Sequence, residues 1–512
     1  MINKNLKTIS YLTLLKIVAS LLGLAYSVLQ VRYFGATSLV DAYFIAMSAV
    51  YLITSLLQGG QLAEVFLPAY IKQKQDFGAT QASLVLSAVI NRIVLYLVVI
   101  LSCLYFVAPF LIGLMGPGLD TIHQTFSIAI FRASLVLILF NIVSAFVNIA
   151  LNAEQIYGRV EWTGVINSLL SILVLFLFHD SMGIWVLLIA LLAGKIIEFF
   201  TGLFFLKQTD FSYRMKWKAE GFDMKYYFSI LFTTSSYALA TQTYNVILTA
   251  ASSFLPVGSY SIFNYVLQLA NKTQGIILSP ISTLFFSKFS IKVAEKAANI
   301  AHFLRLPLLG LSLFAVLQLG AIILVGDDIL ALLWSEKALT ASEYQIAYYM
   351  LIANMVGIVF SATGQIFRKA TVALGGAKSL YIYWTFTQLL SAAYSFWAIK
   401  YFGVWGLASI PVLNQLLMAG VSYFVAAQKI SISQMTSGFH VFVMKWFALL
   451  LAIILMPIAV RKLFLFDYEL QWVGLLVHLS LFGFLVLLLA FTLFFRSFKA
   501  KFLPVFYRLL PR

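Results

Sequence analysis

Residues 83–108 read SLVLSAVINRIVLYLVVILSCLYFVA, a run with one charged side chain, Arg92. Wound as an α-helix at 1.5 Å per residue it is about 39 Å long, enough to cross the roughly 30 Å of hydrocarbon in a bilayer. Comparable runs recur from one end of the 512-residue chain to the other. They make it 62% hydrophobic and only 10% charged, with a mean hydropathy of +0.97. Soluble domains carry about 25% charged residues, and no single core could hide this much apolar surface. The alternating segments of about ten residues that mark a transmembrane β-barrel are missing. The sequence is therefore that of an all-α polytopic membrane protein.

Fourteen spans fit the pattern, near 8–33, 41–66, 83–108, 123–150, 162–178, 184–206, 226–254, 260–286, 300–325, 344–367, 380–399, 404–426, 441–460 and 471–494. The net charge of +16 would suit a nucleic-acid partner, but the charges sit in short loops and no basic domain carries them. Loop charge instead sets orientation. With the N-terminus inside, cytoplasmic loops hold Lys4, Lys7, Lys72, Lys74, Arg159, five basic residues between Lys207 and Lys225, Lys288, Lys292, Lys296, Arg368, Lys369, Lys378, Lys429 and the basic tail. The outer loops hold only Arg32, Lys337, Lys400, Arg461 and Lys462. This is the positive-inside asymmetry, so both termini are expected in the cytoplasm. The polar start, Met1 to Lys7, precedes an apolar run too long for a signal h-region, so no cleavable signal peptide is expected.

The longest cytoplasmic connection divides the chain. We expect a six-helix lobe over 1–206, a basic linker over 207–225, a second six-helix lobe over 226–428, and an extra helix pair with a basic tail over 429–512. The stretch from Asp41 to Tyr70 is echoed faintly by that from Gly258 to Lys288. Both follow a turn and both end in an aromatic, basic exit. Such parallel repeats relate two lobes about an axis along the membrane normal.

Polar residues at bilayer depth are costly and mark cavities or mutual partners. The first span carries Lys16, Ser20, Gly23, Ser27 and Gln30 at helical spacings on one face. The second carries Ser48, Ser55, Gln58, Gln61 and Glu64, with Gly59-Gly60 as a break. The seventh is rich in hydroxyls from Thr233 to Asn245. The eighth carries Asn264, Gln268, Asn271, Lys272 and Gln274. Hydroxyls also serve plain helix packing, whereas an amide stripe on a lipid-facing surface would be expensive. A wet cleft lined by spans one, two, seven and eight follows. Lys195 and Glu198, three apart, read as a structural ion pair. Arg305 and Lys445 snorkel, and Arg92 and Arg132 stay open between function and packing.

Catalytic chemistry has no foothold. His123, His179, His302, His440 and His478 are scattered, and Cys103 is the lone cysteine, which leaves no disulfide or thiolate metal site. Asp327-Asp328 lies in a short outer loop. A phosphate-binding glycine loop and a nucleophile elbow are both missing. We expect no enzyme, cofactor or metal.

The stretch Val31-Arg32-Tyr33-Phe34-Gly35-Ala36, then Asp41-Ala42-Tyr43-Phe44-Ile45-Ala46, then Phe66-Leu67-Pro68-Ala69-Tyr70 resembles the N-terminal signature of the MurJ/MviN family. These are lipid II flippases of the multidrug/oligosaccharidyl-lipid/polysaccharide exporter superfamily. The resemblance covers about forty residues, with Gly35, Asp41 and Pro68 as signature positions, and the 6+6+2 layout agrees. It implies two six-helix lobes around a central cavity that works by alternating access. The family lines that cavity with arginines in spans one, two and eight. Here the matching positions include Ser20, Tyr26, Ser55 and Gln268, none of them cationic, and the acidic-glycine signature reads Gln58-Gly59-Gly60.

These readings converge on an inner-membrane flippase for a polyprenyl-pyrophosphate-linked saccharide, such as an O-antigen or capsule repeat unit. Its binding set is Lys16, Tyr26, Gln30, Ser55, Gln58, Asn264, Gln268, Asn271 and Lys272: amides, hydroxyls and an aromatic face for sugar, two lysines for pyrophosphate. Its partners are the lipid-linked saccharide, the bilayer and polysaccharide-assembly proteins of the cell envelope. Three alternatives stand beside it. One is a lipid II flippase of peptidoglycan synthesis. Another is a cation-coupled drug exporter, which would need a carboxylate in spans one, seven or eight. The third is a membrane glycosyltransferase or polymerase, which would need a large outer loop.

Overall fold

In the computed structural model, the described residues are 2–58, 62–154, 156–209, 211–217, 235–272, 274, 289, 293, 300–334 and 338–429. Those that adopt regular structure are helical. The helices are α1 (Ile2–Phe34), α2 (Ser38–Gln58), α3 (Leu62–Met115), α4 (Thr121–Ala153), α5 (Tyr157–Met182), α6 (Trp185–Leu206) and α7 (Ser235–Ser252), then α8 over residues 259–272, followed by α9 (Ile300–Leu333), α10 (Ala341–Ala373) and α11 (Ala377–Lys429). Nine of them are long and apolar enough to cross a membrane.

Their lengths carry information. At 53 residues, α11 would measure about 80 Å as one rod, far more than a bilayer needs. Gly403 interrupts it with φ 55 and ψ −128, a left-handed conformation that glycine adopts without a Cβ penalty. The two pieces match the spans expected at 380–399 and 404–426. The second expected span, 41–66, needs correction. Helix α2 ends at Gln58 and helix resumes at Leu62, and α3 is itself interrupted at Gly78 (φ 85, ψ 171), so residues 62–66 belong to a separate helical piece that precedes the third span. The Gly59-Gly60 pair blamed for a break lies outside the described residues. So do the last two expected spans, 441–460 and 471–494.

By internal contact the chain divides into two compact units. The first comprises Met1–Ile277, Trp334–Thr340 and Tyr381–Ile410; the second comprises Leu278–Leu333, Ala341–Leu380 and Pro411–Arg512. In the first, α2 and α3 flank α4, α6 packs on α4 and α5, α1 lies along α5, and α7 meets α2 and α3. Val31, Ile45, Phe131, Ile138, Phe146 and Val186 are among its buried side chains. The reverse side of α3 presents Val99, Phe106 and Phe110 to the surroundings, at 56%, 79% and 73% exposure. Bare aromatics and aliphatics on that scale suit hydrocarbon and not water.

Several polar side chains of this unit tie its helices together. Glu198 of α6 accepts from Lys195 Nζ at 2.7 Å and from Asn167 Nδ2 of α5 at 2.6 Å, so the anticipated ion pair is present and also joins two helices. Arg132 of α4 donates through Nε to the Tyr105 carbonyl at 3.1 Å, with its guanidinium 4.6 Å from the Tyr105 ring centroid. That geometry is a packing role on α3. Outside the spans, Asp120 caps α4 by accepting the His123 backbone N–H at 2.8 Å. This bond, with the His123 ring, holds its carboxyl below the usual carboxylate range.

In the second unit α9 packs along α10. A Cβ added at Gly364 of α10 would stand 2.9 Å from the Ala419 Cα. The two backbones are thus nearly in contact, as small residues allow between membrane helices.

Candidate substrate-binding site

Within the first unit, α1 and α8 run antiparallel and share a polar seam. Its end at the start of α8 is closed by backbone chemistry. The first turn of any helix leaves amide donors without intrahelical acceptors, and a side-chain oxygen at the N-cap ordinarily takes them. At the start of α8 the N-cap position is Gly258, which has no side chain. Its φ is +85, and a Cβ there would stand 2.6 Å from the Ala36 carbonyl oxygen, so only glycine fits. Asp41 of α2 does the capping from outside. It accepts from the Gly258 N–H at 2.7 Å, the Ser261 N–H at 2.7 Å and the Ser261 hydroxyl. A carboxylate is well placed against the positive end of a helix dipole. Nearby, Tyr265 donates to the Gly35 carbonyl at 3.0 Å and Gly118 N–H to Ser253 Oγ at 2.9 Å. Three turns are clasped together at this end.

One layer inward, the Tyr260 hydroxyl joins Ser48 of α2 at 2.8 Å and Thr249 of α7 at 3.0 Å. Below it the seam opens to groups with unused capacity. Ser27 Oγ lies 2.9 Å from Gln268 Oε1 and 3.0 Å from the Gly23 carbonyl. A turn further in on both helices, Lys272 lays its ammonium on Gly23: a Cβ added at Gly23 would stand 2.5 Å from Nζ. The glycine is a seat for the lysine. Among the described residues Lys272 has no ion-pair partner, whereas Lys16, Lys74 and Lys195 each have one.

The remaining expected binders separate by what they touch. Lys16 is exposed and pairs with Glu161 of α5 at 3.4 Å. Tyr26 is buried and donates to the Leu187 carbonyl at 3.1 Å, which fastens α1 to α6. Gln30 is buried with its Oε1 unbonded. Asn264 donates to the Tyr260 carbonyl of its own helix at 2.8 Å. Asn271 and Ser55 are exposed. Gln58 and Pro68 lie within helices, and their side chains are outside the described ones. The structure brings Gln268 and Lys272 together with Ser27 and Gly23. The spacing pattern had put Ser27 and Gly23 on the polar face of the first span without giving them a role. A half-buried cation beside an amide and a hydroxyl can hold a phosphate by charge and a sugar by hydrogen bonds.

Comparison with known proteins bears on this site. The family model described as "Lipid II flippase MurJ" matches residues 30–503. The "Probable lipid II flippase MurJ" of Borreliella burgdorferi is 22% identical over 423 residues, covering 78% of each chain. The solved structure "Lipid II flippase MurJ, inward closed conformation" superposes with a TM-score of 0.77 at 20% identity, covering 95% of this chain and 99% of that one. An inward-facing MATE-family multidrug transporter of the MOP superfamily superposes with a TM-score of 0.67 at 14% identity, covering 82% and 96%. At such identities the two structures share the fold with this chain.

Proposed function

The chain belongs to the lipid II flippase MurJ family, and we propose that it carries a polyprenyl-pyrophosphate-linked muropeptide of the lipid II kind from the inner to the outer leaflet. The family is one of membrane transporters, so the work is translocation and no bond is made or broken. The reading of an O-antigen or capsule unit has less support than its alternative, because the family model and the curated relatives alike bear the lipid II description. We place both termini in the cytoplasm and take lobes 1–206 and 226–428 as the bodies that alternate access.

The observation that carries the proposal is Lys272 seated on Gly23. Moving a pyrophosphate past hydrocarbon requires a cation that is not already neutralised, at bilayer depth, with hydrogen-bonding groups at its side. Among the described residues, the α1–α8 seam supplies these. A coupled drug exporter finds no carboxylate in α1, α7 or α8. Lys16, the other expected cation, is engaged with Glu161, which leaves Lys272 to meet the pyrophosphate that both saccharide readings share.

The test uses full-length protein in vesicles with fluorescent lipid II or, separately, a fluorescent polyprenyl-pyrophosphate oligosaccharide lacking the peptide. Loss of inner-leaflet lipid II and indifference to the second lipid is the expected result. The reverse preference would move the assignment to a polysaccharide unit, and inactivity on both would remove the flippase assignment.

A further inference from the structure

The connection that leaves α6 runs without helix from Phe211 to Trp217, turns tightly at Met215 where the Lys216 N–H donates to the Arg214 carbonyl at 2.8 Å, and is strapped to one helix by a ladder of side chains. Ser83, Ser87 and Asn91 of α3, at i, i+4 and i+8, are buried on a single face. Ser83 and Ser87 each donate their hydroxyl hydrogen to a carbonyl of their own helix, Ala79 at 2.8 Å and Ser83 at 2.7 Å. Their oxygens are then free to accept. Ser83 Oγ takes the Ser212 N–H at 3.3 Å, and Ser87 Oγ takes the Arg214 N–H at 3.1 Å. Asn91 donates to the Lys216 carbonyl at 2.9 Å and accepts from the Tyr213 hydroxyl. A chain with its polar backbone satisfied this way has a fixed face toward α3 and a free face away from it.

The free face has a defined chemistry. From 211 to 218 the sequence reads Phe-Ser-Tyr-Arg-Met-Lys-Trp-Lys, and the side chains from Ser212 to Trp217 are all exposed. Met215 is 77% exposed and Trp217 44% exposed. Arg214 and Lys216 are exposed too and have no ion pair among the described residues. The depth follows from α3. The span expected at 83–108 shifts toward the C-terminal end of α3, which runs on to Met115 and bares apolar side chains from Leu95 to Leu114: beyond Arg92, residues 93–115 carry no charged side chain and span about 35 Å, one hydrocarbon thickness. The ladder from Ser83 to Asn91 therefore sits just below the apolar layer, where headgroups lie. Aromatic side chains favour that layer, and basic ones there are drawn to anionic lipid.

The geometry points to residues 211–217 as an interfacial strap that binds anionic phospholipid headgroups of the inner leaflet, with Met215 and Trp217 dipping into the acyl boundary and Arg214 and Lys216 on the phosphates. The strap acts on bulk lipid, and the inference stands apart from the identity of the transported saccharide. It rests on the cytoplasmic placement of the α6–α7 connection.

The experiment places a spin label at Met215→Cys in full-length protein carrying Cys103→Ser. The protein is reconstituted in vesicles of phosphatidylcholine alone, or with about one third phosphatidylglycerol. In the anionic vesicles the label should gain collisions with oxygen and lose collisions with a water-soluble nickel chelate. Arg214→Gln with Lys216→Gln should reverse the change, about thirtyfold in partitioning for two basic side chains at an anionic surface. High salt should reverse it in the parent protein without any substitution, which covers the case of a poorly folding variant. Equal accessibility in both vesicles would overturn the inference, and so would a shift that survives both neutralisation and salt. A shift seen only after adding polyprenyl pyrophosphate would also overturn it, assigning the strap to substrate.

Discussion

Asp41 Oδ1 accepts the Ser261 backbone N–H at 2.7 Å across 220 residues of chain. A helix in the first half of the sequence thus completes the N-terminus of a helix in the second half. The signature aspartate of the family resemblance is here a cap. The same contact explains why the turn before α8 can end on Gly258, which contributes no capping side chain of its own.

Removing that carboxylate leaves two amides of α8 without acceptors. Asp41→Ala should cost about 1–2 kcal/mol, the usual worth of a lost N-cap, with a lowered thermal unfolding midpoint in detergent. Asp41→Asn keeps one of the two acceptor oxygens that Asp41 uses and should lie between the parent and the alanine variant, since it loses the other acceptor and the charge against the helix dipole. An Asp41→Ala protein as stable as the parent would show that water or another side chain caps α8 equally well.

Orientation gives a second prediction, drawn from the loop charges. Reporter fusions at Lys218 and Arg512 should read cytoplasmic, and one at Lys337 should read external. An external signal at Arg512 would mean an odd number of spans. That would undo the two-lobe reading, whereas an external signal at Lys218 would undo the cytoplasmic placement of the strap.

A third prediction concerns coupling. The spans at 226–254 and 380–399 contain no acidic residue, so neither can furnish a carboxylate for sodium. Exchanging sodium for potassium at constant membrane potential should leave transport unchanged in reconstituted vesicles. Potential itself remains an available drive, since moving one charge is worth about 2.3 kcal/mol per 100 mV. A steep sodium dependence would show that carbonyls and hydroxyls suffice to bind the ion.

The fold was legible because membrane helices write themselves as long apolar runs, and a run such as 184–206 needs no partner to be recognised. The site was legible only by face. A 3.6-residue period places Lys16, Ser20, Gly23, Ser27 and Gln30 on one side of α1, but it says nothing of what stands opposite. Opposite Lys16 is Glu161, and opposite Gly23 is Lys272. Tyr26, expected on the substrate, spends its hydroxyl on the Leu187 carbonyl of α6, a contact no spacing rule contains. The strap did carry a local signal, since apolar and polar residues alternate from Phe211 to Lys218.

The seam at Lys272 gives the last prediction. An ammonium at mid-span depth costs at least about 2.5 kcal/mol on insertion scales, so it must be offset by an anion, by water or by a structural partner. If it serves the pyrophosphate, Lys272→Gln should fold and insert normally while lipid-linked substrate accumulates on the inner leaflet. Lys272→Arg should keep part of the activity, because charge survives with a different hydrogen-bonding geometry. The seat supplies an independent probe that leaves the lysine in place. In Gly23→Ala the new Cβ meets Nζ at 2.5 Å, and the flexible lysine tip yields before the helices do. Transport should therefore fall while the unfolding midpoint barely moves. Normal transport in Lys272→Gln would dismiss the binding role outright. Parallel losses of expression, thermal stability and activity in both variants would mean that the lysine only holds α8 against α1.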